Sequence, residues 1–265
     1  MPEYSLAISD VEIRRYTMMA QRAQASETRL WQAAGIVPGA VVVDVGCGPA
    51  AVSVCMAQLV GPAGRVTGVD GDEAALASAH QVVEQAGARN VELRLGRMAD
   101  TGLPPGSADV AVMRHVLGHN GPDEQRIVDH LAQLACPGGS VYLVDVDWTA
   151  ARMLDGAPGF FDLQERYVQF HQSHGNDGQA GLRLGQLLAR AGLEVSAYEG
   201  HYAISAVPPG TRGPAWAARE SMLAAGIATP DDVARWEEAF ERMDNAEVRP
   251  TVFVAYFYAI GVKPR

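Results

Sequence analysis

Apolar residues in this chain come in short unbroken runs, each bounded by glycine or proline. Val41-Val42-Val43-Asp44-Val45, Val66-Thr67-Gly68-Val69, residues 108–113 and residues 140–146 are such runs, and Val91–Leu95 is a further short strand candidate in which apolar and charged residues alternate. Runs of this length without alternation predict strands buried on both faces. The segments between them predict helices over 50–60, 72–87 and 123–135. Gly61-Pro62-Ala63-Gly64, Gly87, Pro104-Pro105-Gly106 and Pro137-Gly138-Gly139 punctuate the series. Ahead of the first strand, Tyr16, Met19, Ala20 and Ala23 recur at helical spacing, followed by a second stripe of Leu30, Trp31 and Ala34. This predicts a bent helix or a helix pair over 11–34, stopped by Gly35 and turned by Pro38-Gly39.

Beyond Val146 the pattern changes. Residues 148–175 carry Phe160, Phe161, Tyr167, Phe170 and His171 and predict an insertion rather than a simple crossover. Leu182–Ala191 reads as an amphipathic helix closed by Gly192, and Leu193–Tyr198 as a strand. Pro208-Pro209-Gly210 opens a second excursion with helices over 214–225 and 230–243, where Pro230, Asp231 and Asp232 suit a first turn. Residues 251–260 close the chain as a strong strand. Strands alternating with helices give an α/β fold with a mostly parallel sheet covered on both faces. No internal repeat or low-complexity linker divides it.

Composition narrows the partners. A formal net charge of −10 disfavours a broad footprint for nucleic acid. Cys47, Cys55 and Cys136 are too scattered for a disulfide scaffold and form no C-x-x-C pair, which fits a reducing cytoplasm. The N-terminus lacks the apolar run of a signal peptide, and no window reaches the roughly 18 uncharged apolar residues of a membrane span. The seven histidines and scattered acids show no metal-ligand spacing, so no metal is expected.

The densest chemistry lies at the first strand. A strand, the turn Gly46-Cys47-Gly48 and a helix start place main-chain N–H groups where a ligand's polar end can be held. About twenty residues on, Asp70 ends the second strand, where a carboxylate can accept from both hydroxyls of a ribose. A glycine-rich corner without a ligand is the alternative. Ala50, Ala51 and Val52 follow Pro49, so the third glycine of a dinucleotide fingerprint is missing, and no Walker lysine follows.

From about Ala33 to Gly139 the chain resembles class I S-adenosylmethionine-dependent methyltransferases: an acid in the first strand, glycines directly after it, and Asp70 at the ribose-binding position. The resemblance implies a Rossmann-like, seven-stranded, mostly parallel sheet with helices on both faces, an antiparallel last strand and helical lid insertions. It divides the chain into an N-terminal helical cap (1–34), a core (35–147 and 180–265) and lid or acceptor-binding insertions within the core (148–179 and 211–246). S-adenosyl-L-methionine is the implied cofactor, and Asp44, Gly46, Gly48, Asp70 and Gly71 its first contacts. Arg97 stands where most relatives carry an acid that accepts from the adenine amino group, and a guanidinium has no acceptor, so Arg97 as a cofactor-site residue either has vacated that contact or stacks on the ring or holds the lid. Met98 could lie against the adenine instead, or fill a strand end, and Asp100 is a displaced acid. The main chain at Arg114 would meet the methionine part of the cofactor. His119 matches a histidine found widely in the family, which favours cofactor support over acceptor chemistry. Tyr16 and Gln21 would fold over the cofactor carboxylate, with Arg15 a competing donor.

Methyl transfer from a sulfonium needs mainly alignment and exclusion of water. An oxygen or protonated nitrogen nucleophile also needs a base, for which His171, His174, His201 or His115 are the candidates. His171 and His174 could share a helix face with Tyr167. The implied function is methyl transfer to an O, N or C nucleophile of a small aromatic or lipophilic metabolite, of the kind made by bacterial secondary metabolism. Homodimerisation is left open. The alternatives are an enzyme of the same fold that uses the cofactor for a rearrangement or cyclisation, and a catalytically silent binding or scaffold protein.

Overall fold

The computed structural model describes residues 10–176 and 178–265, with side chains described from residue 16 onward and at every later described position. Residues 1–9 of the expected cap and the Arg15 side chain therefore lie outside the described residues. The elements run α1 (Asp10–Ala33), β1 (Val41–Val45), α2 (Ala51–Val60), β2 (Arg65–Asp70), α3 (Glu73–Gln85), β3 (Val91–Leu95), β4 (Ala108–Arg114), α4 (Glu124–Leu134), β5 (Ala135–Leu154), α5 (Pro158–Ser173), α6 (Leu184–Arg190), β6 (Glu194–Ala206), α7 (Pro214–Ala217), α8 (Arg219–Ala224), α9 (Pro230–Asp244) and β7 (Thr251–Val262). The strands form one seven-stranded sheet in the order β3-β2-β1-β4-β5-β7-β6. From β3 to β5 all pairings are parallel, and β7 runs antiparallel to both neighbours. This is the expected Rossmann-like architecture with an antiparallel last strand.

Successive strand residues point to opposite faces, and both faces are apolar. Val42, Val110, Val112, Tyr142 and Val144 meet Ala23, Leu30 and Trp31 of α1 and Met56, Ala57 and Val60 of α2. Their neighbours Val43, Ala111, Met113, Val141 and Leu143 meet Ile127, Val128 and Leu131 of α4 and Leu184, Leu187 and Leu188 of α6. The order reverses between β1 and β4, so the rim where these strands end is the crevice in which open α/β sheets bind ligands.

Two strands are longer than the sequence predicts. β5 was expected over 140–146 but continues to Leu154, pairing Arg152 with Phe253 and Leu154 with Thr251 after an irregularity. β6 was expected to end at Tyr198 but continues to Ala206, opposite Thr251. The cause is β7, whose twelve residues supply ladder partners far from either strand in sequence. Residues 149–154 are thus sheet, and the first excursion leaves it only after Leu154. The extension of β6 is an open edge on which Tyr202 is 61% and Ile204 72% exposed.

The two excursions share a third apolar core. Leu163, Tyr167 and Phe170 of α5 pack with Ala215, Ala217, Met222, Trp236 and Phe240 of α7–α9. Trp236 Nε1 donates to Asp162 Oδ2 at 2.8 Å, tying α9 to α5. Gly159 permits the approach, since a Cβ there would lie 2.9 Å from both Ala239 Cβ and the Arg235 carbonyl oxygen. Thr229, which sequence reading passed over, caps α9: it accepts from Asp232 N, and its own N–H donates to Asp232 Oδ2 at 2.8 Å.

Packed on the face formed by Val42, Val110 and Val112, α1 is a single helix held by a buried acid. Glu27 Oε2 accepts from Trp31 Nε1 (3.2 Å), Arg114 Nε (3.1 Å) and the Tyr142 hydroxyl (2.9 Å), while Oε1 takes Arg114 Nη2 (2.5 Å). The side chains of Glu27 and Arg114 are 2% and 9% exposed. Removing one member of a buried pair strands the other charge, which typically costs about 3–5 kcal/mol. Glu27→Ala is therefore expected to lower the urea-unfolding free energy by that amount; a loss below about 1 kcal/mol would show that α1 is held by its apolar stripe alone.

Candidate rim site for a nucleotide-like ligand

The turn after β1 is shaped by close approaches. Gly46 has φ +75°, and a Cβ there would stand 2.7 Å from Val116 Cγ2, so only glycine fits. Gly48 is also left-handed, and Ala50 adopts φ 59° at the start of α2 despite its methyl. Cys47 fills the corner beside Gly68, where a Cβ would meet its Sγ at 3.0 Å. Burial, and then Asp44 and Asp70, push its thiol well up, so it is an inert filler.

Asp70 ends β2 half-buried. Its Oδ2 accepts the Gly48 N–H at 2.8 Å and its Oδ1 the Asp72 N–H at 3.0 Å, which turns the carboxylate towards the glycine turn. Each oxygen keeps a second lone pair, as two ribose hydroxyls would require. Burial raises the Asp70 pKa, and the N–H groups of Gly48, Asp72 and Gly71 oppose the rise. Asp44 lies deeper and accepts Ser53 Oγ–H at 2.5 Å, pinning the first turn of α2. Burial pushes Asp44 to about 6, partly offset by Ser53 and Arg114.

After β3, Arg97 and Asp100 form a two-way main-chain bridge (3.2 and 3.0 Å) with Met98 and Ala99 at its tip. Arg97 and Asp100 are exposed, whereas Met98 is half-buried at the fringe of the α4–α6 layer. Thr101 N–H donates to His130 Nε2 at 3.1 Å and fixes the loop's exit. At the end of β4 the Arg114 side chain turns to Glu27, leaving its main chain on the rim. His115 follows with φ 56°, a conformation rare outside glycine, and its N–H donates to the Val144 carbonyl at 2.8 Å. The 3-10 turn Leu117–His119 is then held by Asp145, whose Oδ2 accepts Gly118 N–H at 3.0 Å. Burial raises Asp145 to about 6 against three main-chain donors, those of Val146, Gly118 and Leu117.

The candidate bases fall in two ring clusters. His119 and His171 lie together (4.9 Å between ring centroids) with Trp148 and Tyr167. His115 and His201 both flank Tyr256 (5.7 and 6.2 Å), and His201 stacks on Tyr258 at 5.1 Å on the exposed β6 edge. His174 and His171 do not share a face, because α5 stops at Ser173. His174 turns outward, with its Nδ1 donating to the Phe170 carbonyl at 2.8 Å, while His171 points inward. Tyr16 is half-buried on α1 and Gln21 exposed.

Sequence reading missed Glu27, Asp145, Trp148 and Asn176. The first two left a signal, a carboxylate on an apolar helix stripe and another inside an apolar strand; the others left none. Two open clefts, of about 570 and 490 Å³, lie at the opposite edge of the sheet, where the strands begin, and neither is lined by a strand-end carboxylate. Among the described residues no cluster of His, Cys, Asp or Glu is placed to hold a metal, and no helix is long and apolar enough to cross a membrane.

A doubly wound sheet whose rim carries a glycine turn and a strand-end acid defines a nucleotide-type binding protein. Residues 36–184 match the family description of a methyltransferase domain, and the chain belongs to the class I S-adenosylmethionine-dependent methyltransferases. It is 33% identical over 130 residues to the demethylmenaquinone methyltransferase of Listeria welshimeri, covering 49% of this chain and 53% of that protein. It is 35% identical over 117 residues to the arsenite methyltransferase of Halobacterium salinarum, covering 44% of this chain and 30% of that one. The matched segment thus spans about half or less of these relatives. In fold, the chain is similar to a S-adenosylmethionine-dependent methyltransferase of Aquifex aeolicus (TM-score 0.54, 15% identity, 94% of this chain and 99% of that). It is equally similar to the [4+2]-cyclase SpnF (TM-score 0.54, 17% identity, 99% and 86%), so the fold alone does not choose between the two reactions.

Asp44 supplies a pH test of this electrostatic picture. Its folded pKa of about 6 lies above the ordinary 3.8, so the folded state binds more protons between those values and the contribution of Asp44 to stability falls as pH rises through the window. Asp44→Asn, which keeps an acceptor for Ser53, should gain on the wild type by roughly 2–3 kcal/mol between about pH 4 and pH 7 in urea titrations. Parallel stability curves would show that Asp44 does not titrate there.

Proposed function

We propose that this methyltransferase moves the methyl group of S-adenosyl-L-methionine to an O, N or C nucleophile of a small aromatic or lipophilic molecule. The observation that carries the cofactor half is Asp70, fixed by two main-chain donors with a lone pair left on each oxygen. Asp70 takes the ribose hydroxyls, and the main chain of Gly46, Gly48 and Gly71 lines the turn beside them, backed by Asp44. Met98 lies against the adenine, and Arg97, exposed on the same turn, makes no acceptor contact with it. The main chain at Arg114 and the His119 turn border the methionine part, while Tyr16 and Gln21 on α1 close over its carboxylate. When bound, the cofactor supplies a methyl group on a cationic sulfur, an electrophile that needs no metal. The chain's own groups align the acceptor and keep water out.

The acceptor half is supported by the helical unit of α5 and α7–α9, whose apolar residues, with Trp148, adjoin the rim. We assign it, with α1, as the cap over the acceptor. The Listeria relative's name, a methyltransferase of demethylmenaquinone, accords with a lipophilic ring as substrate. Three unpaired cysteines accord with a cytoplasmic site of action.

Calorimetric titration should show S-adenosylmethionine and S-adenosylhomocysteine binding at micromolar strength, with NAD and ATP far weaker. Asp70→Ala should weaken binding by about 1.5–3 kcal/mol, the loss expected for charge-assisted hydrogen bonds. Undiminished affinity would remove Asp70 from the ribose site. Arg97→Asp should leave affinity unchanged or raise it, and a loss would place the guanidinium on the ligand. Incubation of radiolabelled cofactor with a metabolite extract should yield labelled product and demethylated cofactor in equal amounts. Product without demethylated cofactor would replace methyl transfer by a rearrangement.

A further inference from the structure

His171 is the most deeply enclosed of the histidines in the ring clusters, at 4% exposure. Tyr167 (4.5 Å between centroids), Trp148 (4.7 Å), His119 (4.9 Å) and Phe170 (5.3 Å) surround its ring. One ring nitrogen is committed: Nδ1 lies 3.2 Å from Asn176 Nδ2. The orientation of Asn176 is fixed independently, because its Oδ1 accepts the Gly121 N–H at 2.8 Å and so turns the amide NH₂ towards the imidazole. Gly121 permits this, since a Cβ there would be 2.6 Å from the Gly175 carbonyl oxygen. An amide NH₂ can only donate, so Nδ1 is the acceptor and the ring proton sits on Nε2. Nε2–H is buried and meets no acceptor among the described residues. A buried donor left unpaired is destabilising, and such groups call for an explanation, such as a partner that arrives with a ligand.

This inference rests on the methyl-transfer reading above. We propose that His171 binds the acceptor molecule by donating Nε2–H to an oxygen anion, so that the substrates of this enzyme are acidic hydroxyl compounds, phenols or enols, that react as their anions. The placement suits it, because His119 joins the ring cluster to the rim where β4 ends, and Trp148 and Tyr167 supply flat apolar walls. The acceptor's proton is lost to solvent before transfer. A lone pair on its oxygen, or on the conjugated carbon, then forms the bond to the methyl carbon as the carbon–sulfur bond breaks and its electron pair passes to sulfur. The negative charge of the acceptor and the positive charge of the sulfonium cancel, and no proton reaches His171. A base at this position would need the opposite tautomer. Burial, and then the like-charged states of His119 and His174, push the His171 pKa down to about 3, so it stays neutral throughout the physiological range. An amine acceptor fits poorly, since Nε2–H would occupy the lone pair that must attack.

Two measurements test this. In two-bond proton–nitrogen spectra of histidine-labelled protein, His171 should show the Nε2–H tautomer and no titration from about pH 8 down to pH 5. A proton on Nδ1, or protonation above pH 5, overturns the proposal. Binding of 4-nitrophenol at about pH 8 and of 4-nitroaniline, the same ring with an amine, is then compared in the presence of S-adenosylhomocysteine. The phenolate should bind at least tenfold more tightly. His171→Gln, whose amide can place an N–H near the same point, should keep most of that preference, and His171→Phe should abolish it with cofactor affinity intact. Failure of both probes to bind, equal binding, or a preference that survives in His171→Phe overturns the substrate class. Failure of S-adenosylhomocysteine to bind at all would instead defeat the cofactor reading and leave the tautomer result standing.

Discussion

One carboxylate, that of Glu27, ties together three parts of the molecule: α1, the end of β4 and the middle of β5. It sits on α1, yet its oxygens are spent on Arg114 at the end of β4 and Tyr142 in the middle of β5. Each of these groups would be costly to bury alone, and together they satisfy one another. Burial and then the charge of Glu27 push the Tyr142 phenol up, so it remains a donor to the acid. Because Arg114 is drawn back to α1, its main chain and the strained His115 behind it are left to form the rim. The position of α1 and the rim at the end of β4 are thereby set by the same ion pair.

The rim itself is organised around carboxylates that the fold partly desolvates. Asp44 and Asp70 stand at or near the ends of β1 and β2, Asp145 lies within β5 one residue past the partner of Arg114, and burial raises the pKa of each. Main-chain N–H groups hold Asp70 and Asp145, and a serine hydroxyl holds Asp44, so none is free to swing away. A row of fixed acids on a low-dielectric floor creates a field that favours a cation and disfavours a second anion unless the cation is already present. That order of preference matches a ligand carrying a positive sulfur, and it would admit an acceptor anion only after that ligand had bound.

The parts of this architecture that were legible in the sequence are those with local causes. The glycine turn, Asp70 and the early strands follow from apolar runs broken where the backbone must turn sharply, and β2 and β3 begin and end where their residues say they should. The extensions of β5 and β6 were not legible, because Thr149–Leu154 and Tyr202–Ala206 carry no strong strand pattern and owe their conformation to β7, more than forty positions away in chain order. The histidines show the same limit. Spacing placed His171 and His174 on one face, but the helix ends between them, and the orientation of His171 is decided by Asn176 and Gly121, which no periodicity connects. Glu27 was visible only as an anomaly, an acid on an apolar stripe.

The shared core of the two excursions has a consequence for how such enzymes diverge. Leu163 and Phe170 come from one excursion and Met222, Trp236 and Phe240 from the other, with the whole of α6 and β6 between them in the chain. Neither segment can bury its apolar face without its counterpart, so neither is a unit that can pass alone from relative to relative. An exchange of α5 alone would deliver a helix whose partners were shaped for a different surface. Productive recombination would have to move both segments together, and natural drift in one would be felt as selection on the other.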